Sequence, residues 1–144
     1  MTSSNDTPIP KNKFTPSDWL TLASNSKDYL KMMNLAFEHS IFSQVLHNGH
    51  IAVELIIKAA ISREYKGHPK LHEITKLTAI TINDSAILIA INSNPETKIH
   101  FNKIYTAWTM HYRYEVLSID KTDAKNYLNS FSEAYKWIQI KYNI

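Results

Sequence analysis

The chain has no cysteine in 144 residues. That excludes a disulfide framework, a thiolate metal site and a cysteine nucleophile. It has only two glycines, and no Gly-rich phosphate loop is visible. Its longest apolar runs fall well short of the ~20 residues a membrane span needs. The opening MTSSNDTPIPKNKF has no apolar core of signal-peptide length. These absences predict a cytoplasmic protein that makes no membrane contact. Charge of one sign is also never concentrated. The net charge is +3 and the pI is near 9.0, but Lys and Arg alternate with Asp and Glu along the whole length. Anionic partners are favoured only weakly.

What is present suits a globular fold. Hydrophobic residues make up 44% and charged residues 20% of the chain, with 3 Trp, 8 Tyr and 5 Phe, far from the composition of disordered chains. The length matches one ordinary domain. Polar, Pro-containing residues 1–14 read as a flexible tail, and residues 15–144 as a single all-α domain. Thr15, Pro16 and Asp18 resemble a helix start with Thr15 as cap. Apolar spacing then predicts a first helix to about Phe37. A second helix, about Ile41 to Tyr65, is apolar almost all round, which places it centrally or at a subunit contact. Gly67 and Pro69 end it. A short third helix runs from Lys70 to about Ile80, and residues 82–91 read as a short helix despite their β-branched content. Asn94, Pro95 and Glu96 open a helix that includes Phe101–Leu117, and a last helix spans about Thr122 to Tyr142. The expected architecture is an antiparallel helical bundle of four main helices plus one or two short ones.

The densest chemistry lies in Phe101–Leu117, FNKIYTAWTMHYRYEVL. Projected on a helix, Phe101, Ile104, Tyr105, Trp108 and Tyr112 form a core stripe, while Asn102, Thr106, Thr109 and Arg113 form a polar one. Arg113, with Thr106, Thr109 and Tyr114, is the candidate ligand-binding group, since Arg matches phosphate and aromatic rings stack on bases. A second polar strip crosses the second helix as His47, His50, Glu54 and Lys58, in which Glu54 and Lys58 form an i,i+4 pair. His47, His50 and Glu54 offer ligands from one face, and His68 with His72 has a spacing used by zinc sites. A catalytic zinc site typically takes three protein ligands, however, and Pro69 interrupts any regular helix through His68 and His72. No metal and no cofactor is expected.

Three pieces carry a family resemblance. They are Trp19-Leu20-x-x-Ala23 with Asp28 and Leu30, then Ala52-Val53-Glu54-Leu55-Ile56-Ile57-Lys58-Ala59-Ala60, then His72-Glu73-Ile74-x-x-Leu77 followed later by Arg113-Tyr114-Glu115. In this order they resemble the HEPN family of small helical-bundle domains, found in toxin-antitoxin pairs and defence proteins. The resemblance implies an antiparallel bundle, homodimerisation, and in some members a partner of the minimal nucleotidyltransferase kind. It also implies structural roles for Glu54, Lys58 and His72. In the catalytic branch an Arg followed four to six residues later by His forms a metal-independent ribonuclease site. After Arg113 come Tyr114, Glu115, Val116, Leu117, Ser118, Ile119 and Asp120, so that His is missing. The expectation is therefore a non-catalytic or divergent HEPN-like module that binds itself, a partner, or RNA or nucleotide near Arg113. The alternative is a ribonuclease using Arg113 with His111, or Arg63 with His68.

Overall fold

The computed structural model describes residues 14–82, 85–113 and 118–144, and for residues 109–113 the backbone alone. Among these residues the chain forms four long helices and two short ones, with two small antiparallel ladders. The first ladder pairs β1 (Phe14–Pro16) with β2 (Gly67–Pro69), with Thr15 opposite His68. The tail expected over residues 1–14 lies outside the described residues except for Phe14, which is a strand residue whose ring meets Tyr65 edge-on at 5.7 Å.

Helix α1 (Trp19–Glu38) starts one turn later than the capping pattern suggested. Its cap is Asp18, whose Oδ1 accepts from the Leu20 amide at 3.1 Å and whose Oδ2 accepts from the Thr21 hydroxyl at 3.2 Å. Thr15 is instead committed to the β1–β2 ladder, a tertiary pairing that local cap chemistry does not reveal. Helix α2 (Phe42–Tyr65) ends at Lys66, which takes the left-handed conformation at φ 58°. Gly67 is needed for a different reason from the one expected. A Cβ there would stand 2.7 Å from the Thr15 carbonyl oxygen, so the residue permits close strand approach and is not itself the left-handed cap.

The connection after β2 is less helical than its spacing predicted. Only Ile74–Thr78 forms helix α3; the chain bends at Lys70 on leaving the first ladder, and the Leu71 amide donates back to the Pro69 carbonyl at 2.9 Å. Residues 82–91 prove to be partly strand and partly helix. β3 (Thr81–Ile82) pairs with β4 (Ser85–Ala86), and α4 (Ile87–Asn92) follows. The β-branched content is thus divided between a local hairpin and a short helix. The Tyr65 hydroxyl donates to the Thr81 carbonyl and ties this hairpin to the end of α2. Helix α5 (Pro95–Arg113) opens as expected, with the Thr97 amide donating to Asn94 Oδ1 at 3.2 Å. Helix α6 (Lys121–Tyr142) is capped by Asp120, which accepts from the Asp123 amide at 2.8 Å.

α2 is the central element. Val45, Leu46, Ala52, Val53, Ile56, Ile57, Ala59 and Ile61 are all fully buried, packed by α1, α6, α5, α3 and β2. The excess apolar surface that suggested a subunit contact is therefore used inside the chain. α6 runs parallel to α2, because Arg63 Nη1 donates to the Asn143 carbonyl at the C-terminal ends of both helices. At the opposite end Lys125 stands over the Phe37 ring. Across α1 and α6, the Ser26 and Tyr135 hydroxyls hydrogen-bond at 2.7 Å in the buried interior.

Candidate functional site

The polar strip of α2 does not face solvent. Four-residue spacing puts His50, Glu54 and Lys58 on one side of the helix, and that side is covered. Their exposures are 1%, 6% and 4%. A buried carboxylate is tolerated only where partners replace its lost water, and Glu54 has several. Oε2 accepts from Lys58 Nζ at 3.2 Å and lies 3.4 Å from Nδ1 of His72. Oε1 lies 3.7 Å from His50 Nε2.

Two further elements complete the cluster. The connector between β2 and α3 supplies His72, whose backbone carbonyl accepts from His50 Nε2 at 2.7 Å. Since a carbonyl can only accept, this nitrogen of His50 carries the proton. α5 supplies Trp108, whose ring lies 4.9 Å from that of His50 at an interplanar angle of 30°. The stretch richest in aromatics and the polar strip of α2 thus meet at one place. His72 keeps 68% of its side chain exposed, so the cluster reaches the surface through that imidazole.

Burial alone pushes the Glu54 carboxyl up, but His50 and the Lys58 charge more than offset it, and the group is held below its ordinary value of 4.5. His68, half-buried in β2, is held below 6.5, chiefly because burial disfavours its charged form. Both shifts point the same way. A depressed group favours the fold above its unfolded value and ceases to do so as pH falls through its folded one. Stability should therefore decline in two stages on acidification, first below 6.5 as the unfolded state protonates at His68, then below 4.5 as Glu54 must protonate. Calorimetric melting temperatures taken across this range, with His68→Gln removing the upper stage, check it. A midpoint unchanged between about pH 7 and about pH 5 would contradict the first stage.

The remaining candidates fall elsewhere. Thr106 is exposed and its hydroxyl donates to the Asn102 carbonyl at 3.1 Å, so it sits on the polar face of α5 as expected. The side chains of Thr109, His111 and Arg113, and all of Tyr114, lie outside the described residues. Arg63 lies over the Trp19 ring, 5.6 Å from its centroid, and donates to Asn143. His68 Nδ1 lies 3.0 Å from the Pro69 carbonyl. None of the described contacts joins Arg63 to His68. Among the described residues no three His, Asp or Glu side chains are placed to hold a metal ion. At Glu54 the Lys58 ammonium occupies a position that a cation would need. Among the described residues, too, no helix is long and apolar enough to cross a membrane.

The sequence showed the Glu54–Lys58 pair but not its burial or the stacking of His50 on Trp108. The available signal was a carboxylate and an ammonium within a helix apolar almost all round, which has no wet face to put them on. The model of the HEPN domain matches residues 19–141. The chain belongs to the HEPN domain family. No curated protein and no solved structure matches it. In this HEPN domain the matched region takes in all four long helices together with Glu54, Lys58, His72 and Arg113. What the Glu54 cluster offers chemically is a charge-balanced latch between α2, the β2–α3 connector and α5.

Proposed function

We propose that this HEPN domain is a non-catalytic binding module that pairs with a second copy of itself or with a nucleotidyltransferase-type partner, and that RNA or nucleotide meets it near Arg113. The observation that carries this reading is the absence of His from the seven residues after Arg113. Without it, no imidazole stands at the family's spacing to move the proton of an attacking 2′-hydroxyl. The contacts of Arg63 with Trp19 and Asn143 give the alternative Arg63–His68 pair no support. Apolar surface for association is available on α1, where Met32 and Leu35 are 49% and 43% exposed and three residues apart, hence on one face.

Sedimentation of the purified protein should give a dimer that Met32→Glu with Leu35→Glu converts to monomer, while RNA incubated with the protein in EDTA stays intact. Cleavage in EDTA that disappears in Arg113→Ala would establish the ribonuclease instead. A strict monomer that captures neither a nucleotidyltransferase nor RNA would remove the binding role.

A further inference from the structure

A concave groove of about 520 Å³ opens at the C-terminal end of α6, between that helix and the β3–β4–α4 segment. Its volume falls within the roughly 300–1,000 Å³ of small-molecule sites. Ile82, Ala86 and Ile89 form an apolar side, and Arg63 and Lys141 bring two cations to the same space. Ile89 is 61% exposed there. Among the described residues no carboxylate is within ion-pair distance of either cation. Arg63 is also oriented in advance. Its face rests on Trp19 and one N–H is fixed on the Asn143 carbonyl, which leaves the other donors of its five-donor fork for a ligand.

Cations in the last turn of a helix complement the helix dipole, and that alone accounts for one at each terminus. It does not account for their convergence on an apolar wall. We propose that this groove binds a small amphipathic anion, an oxyanion group held by Arg63 and Lys141 with an aliphatic or aryl body lying against Ile82, Ala86 and Ile89. Carboxylates and phosphate monoesters share this chemistry. The site lies at the opposite end of the bundle from the N-terminus of α6, and it does not depend on the binding role proposed for Arg113.

The probe is 8-anilinonaphthalene-1-sulfonate, which joins an aryl body to one anionic group. One equivalent should bind the native protein saturably, and octanoate or phenyl phosphate, but not octanol, should displace it. The more effective competitor identifies the oxyanion. Lys141→Met, and Ile89→Glu, which sets a carboxylate against the ligand, should each weaken binding about tenfold or more, near 1.4 kcal/mol. Ile99→Glu, at a 63% exposed position that does not line the groove, should leave it unchanged. Near-UV circular dichroism matching the parent establishes that each variant is folded. Absence of saturable binding, or equal binding by the Lys141→Met and Ile89→Glu proteins, overturns the proposal.

Discussion

Glu54→Leu should cost this domain about 3–5 kcal/mol, a large part of the stability of any protein this size. The substitution suits the apolar surroundings of α2 but leaves the Lys58 ammonium, 4% exposed, without its carboxylate. A lone buried charge is far more expensive than the pair it came from. The companion result separates this from a packing effect. Adding Lys58→Met to Glu54→Leu removes both charges, and the double variant should recover most of the loss, because replacing a whole buried pair with apolar side chains is often neutral or stabilising. His72 is exposed and can be hydrated in the double variant, while His50 keeps its bond to the His72 carbonyl. Urea unfolding of the two single variants and the double closes the cycle. If the double variant is as unstable as Glu54→Leu, the contacts of Glu54 with His50 and His72 matter more than the ion pair.

The second large effect is expected at Gly49. Alanine is ordinarily the better helix former by about 1 kcal/mol, so the change would stabilise an exposed helix. Here a Cβ would stand 2.4 Å from Phe131 Cδ2 and 2.8 Å from Met33 Sδ. Both side chains are fully buried, so either can withdraw only by displacing other core atoms. Overpacking of this kind costs about 1–3 kcal/mol, and Gly49→Val, with two more methyl groups and poorer helix propensity, should exceed that range. Adding Phe131→Leu to Gly49→Ala should restore part of the loss by giving up the ring atoms that collide. Thermal unfolding of the three proteins measures it. An unchanged or raised midpoint for Gly49→Ala would show that α1 and α6 can move away from α2 at little cost.

The helices legible in the sequence were those whose signals are local. Asn94 capped the helix it was expected to cap, and the apolar circumference of α2 announced a central helix. Features that depend on distant partners were not legible. Thr15 has the chemistry of a helix cap, but it pairs with His68 across more than fifty residues of chain. The segment 70–73 has helical spacing, yet the chain leaves the β1–β2 ladder in a bend at Lys70, where the Leu71 amide donates to the Pro69 carbonyl at 2.9 Å. Residues 82–91 carry both strand and helix propensity, and the structure divides them between a two-residue ladder and α4. For the candidate site, the identities of Glu54, Lys58 and His72 could be read, but not that His50 stacks on Trp108, since that contact needs α2 and α5 already packed. Of the two places its apolar circumference allowed α2, central or at a subunit contact, the structure shows the first; one sequence cannot say how many neighbours will cover a helix.

The central position of α2 also bears on how the protein is made. The helix is complete at residue 65, but the α6 surface that covers much of it is not finished until residue 142. At roughly 5–20 residues per second of synthesis, the most apolar of the long helices waits on the order of 4–15 s for its final cover. Until then its cover comes from α1, through a hairpin formed by neighbouring residues, with smaller contributions from β2, α3 and α5. A ribosome paused between α5 and α6 would leave the side of α2 that packs on α6 without its cover.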